Sequence, residues 1–155
     1  MKILITGGSG FIGSYLCKNL LAKGHEVISL DNFSTGKFEN IAGLENTKGF
    51  ESIEGSVLDK ELVKDLISNV DTCFHFAAAV GVQKILDDPI GSLKTNLHGS
   101  ENVIQACSES KVDLVLASTS EIYGKNPTQP LTEDSDRVIG SPLLSRWTYS
   151  EAKAI

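Results

Sequence analysis

The sequence predicts an α/β fold, a doubly wound parallel sheet in a three-layer αβα arrangement. Three observations carry this prediction. Five short apolar runs alternate with helical patterns, and a βαβ alternation of that kind requires parallel strands joined by right-handed crossovers. The first run, Lys2 to Thr6, passes directly into Gly7, Gly8, Gly10 and Gly13 and then into a helix. An acid, Asp31, closes the second run eighteen residues after Gly13.

Each element has its own local cause. Lys2 to Thr6 is apolar enough to lie inside a sheet covered on both faces. Phe11 to Lys23 repeats Ile12, Tyr15, Leu16, Leu20 and Ala22 near a 3.6 period, and Lys23-Gly24 supplies a C-terminal stop. Glu26 to Leu30 is the second strand, and Asp31 to Gly36 a polar loop beyond it. Glu39 to Gly49 is weakly patterned and is expected to hold a short helix and a loop. Phe50 to Glu54 is the third strand, and Asp59 is placed to cap a helix from Lys60 to Ser68 that turns Leu62, Val63, Leu66 and Ile67 inward. Asp71 to Ala79 is a fourth strand running into a turn of small residues. Asp87-Asp88-Pro89 opens a helical region that extends to about Ser110, with a break expected near Asn96. Val112 to Ala117 is the fifth strand. Lys125 to Arg146 holds three of the four prolines and reads as a long loop, and Trp147 to Ile155 starts another helix.

Bulk properties narrow the function. A chain of 155 residues is expected to form one domain, residues 1–155, with enough length for a real core. A net charge of −6 without a basic stripe argues against nucleic acid as a partner. No run approaches the ~18 apolar residues of a membrane span, and the chain starts in a core strand rather than a cleavable leader, so a cytoplasmic location is expected. Cys17, Cys73 and Cys107 lie in apolar contexts without metal-binding spacing and are expected to be buried free thiols. The last helix stops two residues after Lys153 with no cap, from which we expect the chain to be the first half of a longer protein.

Two constellations carry chemistry. In the first, a strand, a glycine turn and a helix N-terminus point backbone N–H groups and a positive dipole end at one place, where the glycines admit a pyrophosphate. Asp31 is positioned to grip the ribose hydroxyls of a dinucleotide and to repel the extra phosphate of NADP, which selects NAD. In the second, Tyr149 and Lys153 are four residues apart and share a helical face. An ammonium beside a phenol, together with a positive nicotinamide, favours phenolate and makes a base for a substrate hydroxyl. Thr119, at the end of the fifth strand, is placed to hydrogen-bond the reacting oxygen. Glu121 reads either as a second acid–base group or as a cap. His25, His75 and His98 are dispersed and read as structural, His75 as a residue that packs or pins backbone.

Gly7-x-x-Gly10-x-x-Gly13, Asp31-Asn32-Phe33-Ser34-Thr35-Gly36, His75-Phe76-Ala77-Ala78, Thr95-Asn96-x-x-Gly99, Ser118 to Gly124 and Tyr149-x-x-x-Lys153 occur together. The combination resembles the extended short-chain dehydrogenase/reductase family, specifically its nucleoside-diphosphate-sugar epimerases, dehydratases and decarboxylases. The resemblance covers the whole chain. It implies a Rossmann domain that binds NAD, a nucleoside-diphosphate sugar as substrate, a homodimer, and a length about twice this one, with a C-terminal substrate domain. It follows that the 155-residue chain by itself is expected to be inactive.

By position, the resemblance implies that Gly7, Gly10, Phe11, Ile12 and Gly13 meet the pyrophosphate and that Asp31, Asn32, Ser34, Thr35 and Gly36 surround the adenosine ribose. Ser56 and Val57 would face the adenine, with Ser56 standing where the family carries an acid. Phe76, Ala77, Ala78, Ala79 and Thr95 would line the path to the nicotinamide ribose. Tyr149 would be the base, Lys153 its partner and a ribose ligand, and Thr119 the neighbouring hydroxyl. Family 4-epimerases carry a small residue where Glu121 stands, and 4,6-dehydratases an Asp where Ser120 stands. Thr119-Ser120-Glu121 with Ser145-Arg146-Trp147-x-Tyr149 is closer to the UDP-glucuronate decarboxylase branch. Epimerase and decarboxylase both stay open at this point, as do a plain ketoreductase and a non-catalytic NAD-binding regulatory domain.

Overall fold

A computed structural model describes residues 1–81 and 87–155. Its sheet has five strands, β1 (Lys2–Thr6), β2 (Glu26–Asp31), β3 (Phe50–Glu54), β4 (Thr72–His75) and β5 (Asp113–Leu116). They run parallel in the spatial order β3-β2-β1-β4-β5. Among the described residues the α-helices are α1 (Phe11–Ala22), α2 (Lys60–Ile67), α3 (Pro89–Ser110) and α4 (Trp147–Ala154).

The three layers follow from the period-2 geometry of the strands. Ile3, Ile5, Val27 and Phe74 point to one face, where they pack with Cys17, Leu16 and Leu20 of α1. Leu4, Ile28, Leu30 and Cys73 point to the other, where Val63, Leu66 and Ile67 of α2 meet Val103, Ala106 and Cys107 of α3. The successive apolar residues in the middle of β1 and β2 are therefore a direct consequence of two covered faces. All three cysteines are free and buried. Burial pushes the Cys17 thiol up to about 12, so it behaves as a small hydrophobe rather than a nucleophile.

Caps fall where the sequence places them. Asp59 Oδ1 accepts from Leu62 N at 3.1 Å, and Asp88 Oδ1 accepts from Gly91 N at 2.9 Å ahead of a first-turn proline. The weakly patterned stretch forms two 3-10 turns, Phe38–Asn40 and Ala42–Leu44. One expectation fails: α3 continues through Asn96 without a break. The Asn96 amide, which in isolation competes with helix backbone, is instead occupied by the turn after β4. Ala79 N donates to its Oδ1 at 2.7 Å, and its Nδ2 donates to Ala79 O at 3.1 Å. Three residues further on, a Cβ at Gly99 would lie 2.6 Å from Val57 Cγ2, so only glycine lets α3 pack this closely on the β3–α2 loop.

The two sheet edges differ. β3 presents Glu51 and Glu54, charges that discourage further pairing. β5 presents Val115 and Leu116, each nearly half exposed.

Candidate active site

The connections from β1 and β4 leave for opposite faces of the sheet, and a crevice of about 500 Å³ opens at the C-terminal ends of the strands there. This is the switch point at which open α/β sheets take ligands. One wall is the glycine turn. Gly7 has φ +72°, and a Cβ on it would lie 2.7 Å from Ala77 N and 2.9 Å from Phe76 C. The turn thus rests directly on the backbone that follows β4. At Gly13 a Cβ would strike the Gly7 carbonyl and come within 2.8 Å of Gly8 Cα. Gly10 is the N-cap of α1 in extended conformation and offers no side-chain hydrogen bond. The first-turn amides of α1 therefore lack a protein cap, which suits an anion.

Asp31, buried at the end of β2, ties this wall to the next. Its Oδ2 accepts from Ser9 N at 2.9 Å and its Oδ1 from Phe33 N at 2.9 Å. The loop folds back further through Lys37 N and Asn40 Nδ2, which both donate to Ser9 O, at 3.1 and 2.8 Å. Gly36 sits under the Asp31 carboxylate, where a Cβ would lie 2.8 Å from Oδ2.

The opposite end of the crevice is built by β5 and α4. Thr119 caps a 3-10 turn over Ser120–Tyr123, its Oγ1 accepting from Glu121 N at 3.2 Å. Ser150 Oγ, on α4, donates to Glu121 O at 2.8 Å and docks the helix on that turn. Arg137 reinforces the joint: Nε donates to Ile122 O at 3.0 Å and Nη2 to Glu151 at 3.2 Å. Tyr149 and Lys153 then both line the crevice. Lys153 Nζ donates to Ala117 O at 3.1 Å.

The electrostatics of this pair differ from the sequence expectation. An adjacent ammonium together with a positive nicotinamide was expected to draw Tyr149 toward phenolate. Among the chain's own groups the balance runs the other way. Burial, and after it the negative charge of Glu121, hold the Tyr149 phenol above its ordinary value, against a hydrogen bond with Thr119 that pulls it down. Burial also lowers the Lys153 ammonium below its usual range. A half-buried phenol beside a carboxylate loses more from desolvation than it gains from a cation that is itself desolvated and spent on a carbonyl.

Of the residues singled out in the sequence, Gly7, Gly10, Phe11, Ile12, Gly13, Asp31, Asn32, Ser34, Thr35, Gly36, Val57, Phe76, Ala77, Ala78, Thr95, Tyr149 and Lys153 come together around the crevice. Four stand outside its lining. Ser56 turns into its own loop, its Oγ accepting from Leu58 N at 3.2 Å. Ala79 is buried behind the wall, clamped by Asn96. Thr119 and Glu121 act on Tyr149 from the side. The crevice adds Leu30, Gly55, Val80, Ala117 and Ser118 to the expected set. Ala117 and Ser118 were findable, since they end the strand that carries Thr119. Val80 and Gly55 carry no local signal of their own.

Residues 3–155 match the family described as NAD dependent epimerase/dehydratase. The chain is 40% identical over 154 residues to a UDP-N-acetyl-alpha-D-glucosaminuronate decarboxylase of Bacillus cytotoxicus, covering 99% of this chain and 47% of that protein. It is 36% identical over 148 residues to a UDP-glucose 4-epimerase of Mycolicibacterium smegmatis, covering 94% and 47%. Among solved structures, a dTDP-glucose 4,6-dehydratase from Streptomyces venezuelae with NAD bound superposes with a TM-score of 0.87 at 30% identity, over 99% of this chain and 48% of that one. The chain spans about half the length of these relatives. The matched residues, the parallel sheet and the glycine crevice agree: the chain belongs to the NAD-dependent epimerase/dehydratase family.

Proposed function

We propose that this chain supplies the NAD-holding, catalytic half of an enzyme that transiently oxidises a nucleoside-diphosphate sugar at C4, the step shared by epimerases, decarboxylases and dehydratases of this type. The observation that carries the reading is the presence of Tyr149 and Lys153 at one end of a crevice whose other end is a glycine turn with Asp31, with Thr119 acting on Tyr149 from beside it. The residues fit the cofactor. The uncapped start of α1 and the Cβ-free floor at Gly7 and Gly13 accommodate a pyrophosphate, and Asp31 keeps acceptor capacity for a ribose. When bound, NAD supplies a hydride acceptor and a positive ring. Tyr149 takes the proton from the sugar hydroxyl as C4 becomes a ketone, and returns it on reduction. Thr119 hydrogen-bonds the phenol and steers it, and Lys153 holds a ribose hydroxyl while its charge opposes that of Glu121.

The decarboxylase outcome is the second reading, supported by the Thr119-Ser120-Glu121 pattern, which carries a carboxylate where simple epimerases would carry a small residue. A purely NAD-binding regulator would need neither Tyr149 nor Lys153. The same proposal includes a homodimer and a cytoplasmic location. Among the described residues no helix is long and apolar enough to cross a membrane. Incubation of the intact protein with UDP-glucose and with UDP-glucuronate separates the readings. Epimer formation or CO₂ release without accumulation of NADH supports them, whereas stoichiometric NADH would replace them with an ordinary dehydrogenase.

A further inference from the structure

Behind the crevice wall lies a set of buried and half-buried polar side chains that the reaction itself does not use. Thr6 ends β1, His75 ends β4, and Ser100 and Asn96 face them from α3. His75 is fully buried. Its Nδ1 lies 2.6 Å from Thr6 Oγ1 and its Nε2 3.0 Å from Ser100 Oγ. Thr6 Oγ1 accepts from Ala77 N at 3.2 Å. Ser100 Oγ donates to Asn96 O at 2.8 Å, and the Asn96 amide closes on both backbone groups of Ala79.

Counting protons orders this set. Each hydroxyl has one hydrogen to give. Ser100 gives its own to Asn96 O, so toward His75 its oxygen is an acceptor, and Nε2 must carry the hydrogen. In the neutral ring Nδ1 is then a bare acceptor, and Thr6 Oγ1 donates to it while receiving from Ala77 N. Every donor has one acceptor. The opposite tautomer leaves the Thr6 hydroxyl receiving two N–H groups with no acceptor for its own hydrogen among the described contacts. It also leaves the 2.8 Å contact between Ser100 Oγ and Asn96 O without a proton. An imidazolium has the same defect at Thr6, and Lys153, the cation that acts on His75, opposes it further.

We propose that Thr6, His75, Ser100 and Asn96 form one proton-ordered chain of hydrogen bonds, with His75 held as its Nε2–H tautomer. The chain fixes the Ala77–Ala79 turn against which the dinucleotide lies. His75 and Ser100 are positioning residues for the cofactor, and the turn they set also supports Gly7, whose Cα packs on the Phe76–Ala77 peptide. Tyr149 and Lys153 line the opposite end of the same crevice. Displacement of Ala77 would therefore be felt by the pyrophosphate turn and by the nicotinamide end together.

The consequence for binding rests on the NAD reading above, and two measurements on the protein keep the claims apart. ¹⁵N-resolved NMR of the histidine rings at neutral pH reads the tautomer in the wild-type chain, whether or not any variant folds. The expected result is a protonated Nε2 and an unprotonated Nδ1 for His75. A protonated Nδ1, alone or with Nε2, overturns the proposal. Titration with NAD then compares Ser100→Ala, at a partly exposed site that tolerates truncation, with Ser100→Thr, which keeps the acceptor oxygen. Ser100→Ala is expected to weaken NAD roughly tenfold, as for one buried donor left without a partner, and Ser100→Thr to restore it. Unchanged affinity in Ser100→Ala refutes the positioning role. Failure of the wild-type chain to bind NAD refutes the cofactor reading, while the tautomer still decides the proton order.

Discussion

Asp31 has two attachments of its own before any ligand arrives, one to Ser9 N and one to Phe33 N. A carboxylate has about four lone-pair positions, so the ribose hydroxyls meet an acceptor already aimed by the fold. Asp31→Ala removes that acceptor and unties the 32–36 loop from the glycine turn, and NAD affinity should fall at least ~10-fold. Discrimination against NADP should relax at the same time, because the repelling charge has gone. Calorimetric titration of both cofactors checks this, and two unchanged affinities would remove Asp31 from the ribose site. Tyr149 offers a sharper test of mechanism. Tyr149→Phe should keep NAD affinity and lose at least ~10²-fold in turnover, the usual scale for a general base; turnover near the wild-type rate would take the phenol out of the reaction. Glu121 raises the Tyr149 phenol by its negative charge, so neutralising it must lower that value. In Glu121→Gln the acid limb of the rate profile should therefore move to lower pH. A limb that stays in place, or moves up, would show that the carboxylate does not act through the phenol.

At the scale of elements, strands were legible because both faces of this sheet are covered, which puts successive apolar residues at Ile3 to Ile5 in β1 and at Val27, Ile28 and Leu30 in β2. The glycine turn was legible for a different reason: Gly7 and Gly13 occupy places where backbone, not side chain, would be hit. Gly13→Ala should consequently destabilise the fold by about 1–3 kcal/mol, the range for overpacking, and weaken NAD as α1 is pushed off the turn. Gly43→Ala, where a Cβ meets nothing within 4 Å, should stay within about 0.5 kcal/mol in the same urea titration. Equal effects at the two positions would deny any special role to the close approach at Gly13. What sequence could not carry was tertiary satisfaction. Asn96 looked like a helix breaker because its partners at Ala79 are seventeen residues away, and only the packed structure brings them to its amide. Ser56, aligned by position with an adenine contact, accepts from Leu58 N within its own loop, a local bond that its place in the sequence does not announce. Tyr149 and Lys153 line one crevice from one helix, as their spacing predicts, but the sign of the local field depends on burial and on Glu121 from a different element.

For the whole molecule, the most consequential buried group is His75, since it joins β1, β4 and α3 at the point where the two halves of the sheet meet. Burial first, and the Lys153 cation second, lower it from 6.5 to about 4. Above about pH 6.5 the ring is neutral in both folded and unfolded chains, and its bonds to Thr6 and Ser100 contribute fully. As pH falls from 6.5 toward 4 the unfolded chain takes up a proton that the folded chain refuses, so stability must decline across that window and level off below it. The size follows from the shift, about 3 kcal/mol in all, comparable to a substantial part of a small domain's stability. Urea unfolding at a series of pH values reads this directly. Carboxylates also titrate near the lower end, so the informative quantity is the difference between wild type and His75→Gln, a side chain with no proton to gain. The variant should be less stable at pH 7 but lose less between 6.5 and 4, and its curve should converge on the wild type toward the acid end. Parallel curves for the two proteins would mean that His75 is protonated as readily in the folded chain as in the unfolded one. The lowering of the ring by burial, and with it the contribution of the His75 junction to the pH dependence, would then be refuted.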